Sequence, residues 1–287
     1  MILDGKKLSK SKKQEFKTTV ESLKDKTGRA PSLHVVLVGG DPASQVYVGH
    51  KEKLCQSVGV TSVVHRLEST VEAQDLKKLI ESLNLDDEVD GILVQLPMPE
   101  ALKKFDPLKY IDTKKDVDGL SSLNMGLMIK NQAYAEPCTP KGVIELLKAN
   151  KIKIEGLKAA VIGRSEIVGW PMAWMLTREN ATVTVCHSKT RNIDEILKSS
   201  DLIIAAAGRP HFVNKDMLKI NAVVVDVGIH RGESGKLIGD VNPEGFSEKN
   251  ITYSPVPGGV GPMTVATLVE NLIGLYIIKT KEISSCV

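Results

Sequence analysis

Ala159-Ala160-Val161-Ile162-Gly163-Arg164-Ser165-Glu166-Ile167-Val168-Gly169-Trp170-Pro171 is the stretch that decides the fold. The four leading apolar residues read as a strand, Gly163 as a tight turn, and the residues running to Pro171 as the start of a helix, where proline is tolerated. Strand, glycine turn and helix N-terminus in that order are the setting in which a dinucleotide pyrophosphate rests on backbone N–H groups. The spacing departs from G-x-G-x-x-G, because Ser165 takes the second glycine position and Gly169 arrives one residue late. Spacing alone leaves a phosphate-free turn as the alternative.

Outward from this stretch, apolar runs bounded by glycine alternate with helical patterns. Strands are expected at His34–Val38, Gly91–Gln95, Ala159–Ile162, Thr182–Cys186, Leu202–Ala206 and Ala222–Val227. Apolar residues at i, i+3 and i+4 predict helices over Glu72–Leu83 and Lys141–Ala149, and an apolar closing helix over Thr264–Ile278. Such alternation predicts an α/β protein with mostly parallel strands. A domain boundary is expected near Pro137-Cys138-Thr139-Pro140, with Thr139 as helix N-cap. Beyond it the strand density is that of a doubly wound nucleotide domain.

The end of the second strand of that domain bears on the cofactor. An NAD site places an acid there to hold the ribose 2′-hydroxyl. Here the chain reads Cys186-His187-Ser188-Lys189-Thr190, without an acid, and Arg164 follows the first glycine. Ser188, Lys189 and Arg164 suit a 2′-phosphate; the alternative is a solvated loop. Ala207-Gly208-Arg209-Pro210 and Asp226-Val227-Gly228-Ile229 each follow a strand and are expected at the carboxyl edge, where open α/β sheets bind ligands.

Three further segments carry candidate chemistry. Tyr47 and Lys51 stand at i and i+4, on one face of a helix. Gly91-Ile92-Leu93-Val94-Gln95-Leu96-Pro97 is a strand ending in an amide that needs a partner if buried. Lys115-Asp116-Val117-Asp118-Gly119 sets two acids before a glycine turn, and Pro255-Val256-Pro257-Gly258-Gly259-Val260-Gly261-Pro262-Met263-Thr264 builds a wall of fixed and permissive backbone.

Taken in order, YVxxK, GILVQLP, KDVDG, PCTPKG, GRSxxVGxP and PVPGGVGPMT resemble the signature of the methylenetetrahydrofolate dehydrogenase/methenyltetrahydrofolate cyclohydrolase family, over nearly the whole chain. The resemblance implies two domains: a discontinuous N-terminal α/β catalytic domain (1–138 plus 264–287) that binds folate, and a Rossmann-like doubly wound NADP-binding domain (139–263). It implies that Lys51 is the catalytic lysine, Gln95 its hydrogen-bonding partner, Tyr47 the aromatic beside the folate and Asp118 the carboxylate that holds the pterin. Pro257, Gly258 and Gly259 are implied to line the substrate, and Gly163, Arg164, Ser165, Val168, Gly169, Ser188, Gly208, Gly228 and Ile229 the NADP. Thr113-Lys114 stands where the family often has a proline, and Trp170 is bulkier than is common there. A homodimer acting on tetrahydrofolate derivatives is implied as well.

Composition narrows the rest. With 287 residues, 42% hydrophobic and 25% charged, the chain reads as a soluble globular protein of one large or two ordinary domains. Its 38 basic and 35 acidic residues are nearly balanced, so no nucleic acid or membrane partner is expected. Cys55, Cys138, Cys186 and Cys286 form no C-x-x-C pair, so no metal is expected and a reducing compartment is. Met1-Ile2-Leu3 runs straight into Asp4 and lysines rather than an apolar leader, and the strand-like runs are too short to span a bilayer. A cytoplasmic location is expected. Tyr47-x-x-x-Lys51 also matches the catalytic pair of short-chain dehydrogenases, but there the pair follows the glycine turn, whereas here it precedes Gly163. An NADP-sensing protein without chemistry is the non-enzymatic rival.

Overall fold

The computed structural model describes residues 1–233 and 235–285, so Cys286 lies outside the described residues. In chain order the elements are α1 (Gly5–Thr27), β1 (Ser32–Val38), α2 (Pro42–Val58), β2 (Thr61–Leu67), α3 (Ala73–Leu85), β3 (Gly91–Val94), α4 (Ser122–Ile129) and α5 (Cys138–Ala149). There follow β4 (Lys158–Ile162), α6 (Gly169–Arg178), β5 (Thr182–Cys186), α7 (Ile193–Ser199), β6 (Leu202–Ala205), β7 (Val223–Asp226), β8 (His230–Arg231), β9 (Leu237–Ile238), β10 (Thr252–Tyr253) and α8 (Val260–Ser285). The chain divides into two compact units, one of residues 11–138 with 265–287, the other of 139–264 with 1–10. The first ten residues join the second unit because Ile2 bridges Tyr253, and the amides of Leu3 and Lys6 donate to Tyr253 and Gly258 carbonyls.

In the first unit a parallel sheet runs β2-β1-β3. Alternate residues of β1 serve two cores: Leu33, Val35 and Leu37 pack with α1, α2 and α8, while Val36 and Val38 pack with Leu76, Ile80 and Leu83 of α3. Segment 260–281 is long and apolar enough to cross a membrane, but 61% of its most apolar window is buried inside the protein. Its residues Ala266, Leu268, Val269, Leu272 and Leu275 belong to that first core. Ile92 bridges Asp116 in parallel, which extends the sheet past β3.

The second unit holds a parallel sheet of order β10-β7-β6-β4-β5. Its direction of winding reverses between β4 and β6, the switch point at which such sheets bind ligands. The register aligns Ile162 with Cys186 and Ala205, and Ala205 with Asp226, so four strands end on one line. The doubly wound α/β architecture is therefore as expected.

Several boundaries differ. The helix at the Pro137-Cys138-Thr139-Pro140 segment begins at Cys138, so Thr139 is its second residue and not its N-cap; its hydroxyl lies 3.0 Å from that of Thr264. The closing helix starts at Val260, since Gly261-Pro262 fits within a first turn. β2 escapes the apolar-run criterion because it is an edge strand, with polar His65 and Arg66 beside exposed positions.

Candidate active site

Lys51 sits on α2, whose start is fixed by Asp41 accepting from the Ser44 amide at 2.7 Å and whose end is Gly59 in the left-handed region at φ 83°. The buried face of α2 is Ser44, Val48, Lys51, Cys55 and Val58, a spacing of four and three that puts the lysine in an otherwise inward stripe. The residue is 7% exposed, and Nζ donates to Gln95 Oε1 at 3.0 Å. Gln95 follows β3, its own amide tied to Val36 O at 2.9 Å, and its Nε2 donates to Leu96 O at 2.6 Å. That second bond leaves Oε1 facing the ammonium. Tyr47 stands one turn before Lys51, half-buried, and burial pushes its phenol above the ordinary value.

The two acids of Lys115-Asp116-Val117-Asp118-Gly119 have different work. Asp116 is fully buried and accepts from the amides of Gly119 (3.0 Å) and Ser121 (2.7 Å) and from Asn124 Nδ2 (2.8 Å). Lys115 donates to the carbonyls of Leu83, Asn84 and Asp86 at the end of α3. Those two residues hold the loop, and Asp118 remains as the functional candidate. Burial pushes its carboxyl above the ordinary carboxylate range; the charge of Lys51 and a hydrogen bond from Cys138 oppose that, and the charge of Asp116 adds to it. Lys51, Gln95 and Asp118 thus converge in one unit.

In the other unit, the Gly163 turn leaves β4 beside the ends of β5 and β6: its amide donates to Cys186 O at 2.9 Å. Gly163 has φ 127°, and a Cβ there would strike Ala206 O. Gly169 likewise has no room for a side chain, its Cβ position lying 2.6 Å from Arg164 Cα. The late glycine therefore does the close-packing work of the usual third one. Ser165 Oγ accepts from the amides of Val168 (3.2 Å) and Gly169 (3.3 Å), bracing the turn that leads into α6 where the motif normally has glycine. Arg164, Ser188 and Lys189 are all exposed on adjacent turns at this edge, and no acid ends β5. Gly208 (φ 65°), Gly228 and the 40% exposed Ile229 follow β6 and β7 on the same line. Trp170 is 51% exposed at the start of α6. Pro257, Gly258 and Gly259 belong to this unit too, with Gly258 at φ 111° and the Gly259 amide donating to Pro255 O at 2.8 Å.

Residues 3–118 match the tetrahydrofolate dehydrogenase/cyclohydrolase catalytic domain, and residues 137–280 match the NAD(P)-binding domain of the same family. The chain belongs to the tetrahydrofolate dehydrogenase/cyclohydrolase family. It is 51% identical to a bifunctional protein FolD of Campylobacter concisus, over 95% of this chain and 96% of the relative. The crystal structure of the bifunctional FolD dehydrogenase/cyclohydrolase of Campylobacter jejuni superposes with a TM-score of 0.92 at 46% identity, covering 97% of this chain and 99% of that one. That of the Trypanosoma brucei enzyme, complexed with NADP cofactor and inhibitor, superposes at 0.91 with 33% identity, covering 98% of each chain. Within a tetrahydrofolate dehydrogenase/cyclohydrolase, Tyr47-x-x-x-Lys51 belongs to the catalytic-domain match and not to the nucleotide domain, which disposes of the short-chain dehydrogenase reading. No motif marks Asp116, Asp226 and Asp240 as supports; the local signal is an acid next to or two positions from a glycine, in Asp226-Val227-Gly228 and Gly239-Asp240.

Proposed function

We propose that this chain oxidises 5,10-methylenetetrahydrofolate to 5,10-methenyltetrahydrofolate with NADP and hydrolyses the product to 10-formyltetrahydrofolate. The observation that carries the reading is the buried Lys51 ammonium set against Gln95 Oε1 in the unit matching the family's catalytic domain. The 2-amino and N3 edge of a pterin offers two parallel donors, and the Asp118 carboxylate accepts them in bidentate fashion. Tyr47 stacks on the folate, and Pro257, Gly258 and Gly259 line it. Water adding to the methenyl carbon gives its proton to Lys51 in its neutral amine form, and the resulting ammonium returns a proton to the nitrogen freed when one C–N bond breaks, with Gln95 orienting Nζ.

The groove suits NADP: Gly163 and Gly169 let the turn after β4 pack tightly against its own backbone and Ala206 O, and exposed Arg164 and Ser188 follow β4 and β5 with no acid at the end of β5. Gly163, Arg164, Ser165, Val168, Gly169, Ser188, Gly208, Gly228 and Ile229 would hold the cofactor. When bound, NADP accepts the hydride lost from the methylene bridge. The unit of residues 11–138 with 265–287 then serves folate, and that of 139–264 with the first ten residues the nucleotide. A cytoplasmic homodimer completes the reading, supported by the family resemblance and open to light scattering. Incubation with methylenetetrahydrofolate and NADP should produce reduced cofactor and the methenyl chromophore, which then decays faster than in buffer. Absence of both signals would refute the proposal.

A further inference from the structure

Two buried carboxylates at the carboxyl edge of the five-stranded sheet have no part in the chemistry above. Asp226, which ends β7, is 3% exposed, and Asp240, just after β9, is fully buried. Asp226 accepts from the amides of Gly228 (3.0 Å), Asp240 (2.9 Å) and Val241 (3.0 Å), folding the 239–241 segment back onto the end of β7. A Cβ at Gly239 would run into the Asp226 carboxylate. Asp240 in turn accepts from the Gly208 amide at Oδ2 and the Arg209 amide at Oδ1, both at 2.9 Å, and His230 Nε2 lies 2.7 Å from the same Oδ1. At Gly228 a Cβ would collide with this carboxylate. One side chain therefore ties the turn after β6 to the start of β8, and it packs against Gly228 in the turn after β7.

Gly208 and Arg209 lie in an exposed turn, yet both amides point inward to a fully buried carboxylate. Fastening them to a buried charge adds no apolar burial; it fixes where the turn stands, which is what a binding site needs before its ligand arrives. We propose that Asp240, steadied by His230, is a positioning residue for the cofactor, holding the Gly208-Arg209 turn and the Gly228-Ile229 turn in the arrangement that NADP meets. The proposal deepens the NADP reading and rests on it. His230 supplies the one side-chain contact to Asp240 among these bonds, so the hairpin β8–β9 sets the carboxylate's orientation.

The test compares the full-length protein with Asp240→Asn, His230→Leu and His230→Gln, and with Arg164→Glu as a control on the reading itself. Asp240→Asn keeps the shape but points a donor at a backbone N–H. Loss of one charge-assisted bond should raise the KM for NADP about tenfold. The ratio of dehydrogenase to cyclohydrolase activity should fall with it, because hydrolysis of a methenyl substrate consumes no cofactor. His230→Leu should shift both readouts in the same direction, and His230→Gln, which keeps a donor for Asp240, should restore them. A parallel fall of both activities and of the thermal midpoint, with KM for NADP unmoved, would reduce Asp240 to a structural residue and overturn the proposal. If Asp240→Asn does not fold, the His230 pair decides by the same ratio. Unchanged NADP affinity in Arg164→Glu would sink the NADP reading of this groove. Weakened affinity there, with wild-type affinity in Asp240→Asn and His230→Leu, would sink the positioning role alone.

Discussion

Lys51 Nζ and Gln95 Oε1 lie 3.0 Å apart although the residues are separated by 44 positions, and the bond joins the inward face of α2 to the end of β3. The amide is not free to turn over, because its Nε2 is held by Leu96 O. An ammonium facing a fixed carbonyl oxygen is held in place without being neutralised by a paired carboxylate.

Replacing Lys51 by methionine should therefore nearly abolish cyclohydrolase activity while leaving NADP affinity within a few fold, since the nucleotide turn lies in the other unit. Gln95→Glu should also depress hydrolysis, because a carboxylate at 3 Å holds the lysine as an ion pair. Decay of the methenyl chromophore reads both; normal hydrolysis by Lys51→Met would remove the lysine from the mechanism.

Asp118→Ala should weaken folate in both activities alike, because both use the same ring, by about 1.5–3 kcal/mol per lost charge-assisted bond. Burial has raised the Asp118 carboxyl, and only its ionised form accepts both pterin donors, so folate affinity should fall on acidification already above the ordinary carboxylate range. The Lys51 charge opposes that rise. In Lys51→Met the acid limb of the dehydrogenase should accordingly move to higher pH. Calorimetry and pH profiles of KM check the pair of claims.

Arg164→Ala combined with Ser188→Ala should weaken NADP far more than NAD. One charge-assisted bond at about 1.5–3 kcal/mol corresponds to about a ten- to hundredfold preference. The ratio of kcat/KM for the two cofactors, before and after substitution, is the measurement. A wild-type ratio favouring NAD, or one that the substitutions leave in place, would relocate the 2′-phosphate site.

Burial pushes the Asp226 carboxyl up to about 6, partly offset by the amides of Asp240, Val241 and Gly228. A carboxyl raised on folding contributes stability that is full below its unfolded value of about 3.9 and is lost as pH rises through its folded value. The wild type should thus gain, on acidification from about pH 7 towards 4, up to about 3 kcal/mol relative to Asp226→Asn. Thermal midpoints of both proteins across that range test the slope, and parallel curves would contradict it.

Much of this was legible in the chain because it is local. Fully buried parallel strands read as unbroken apolar runs, as Ala159–Ile162 and Leu202–Ala205 do, whereas the edge strand β2 mixes His65 and Arg66 into its run and hides. The inward stripe Ser44, Val48, Lys51, Cys55, Val58 is itself a sequence signal that Lys51 is buried. Nothing local separates Asp116 from Asp118, two residues apart in one loop.

By itself the sequence determined the α/β class, the position of the glycine turn, the missing acid after β5 and the family, through six motifs in order. Periodicity, turn chemistry and motif spacing are properties of short segments, and they survive without knowledge of the rest of the chain. Tertiary structure alone decided which acid anchors the loop and which faces Lys51, that Gln95 presents its oxygen, and that Asp240 reaches the Gly208 amide from 32 positions away. Buried polar groups take whatever partner packing brings within hydrogen-bond reach, and that partner is chosen by the sheet order and helix docking rather than by neighbours in sequence.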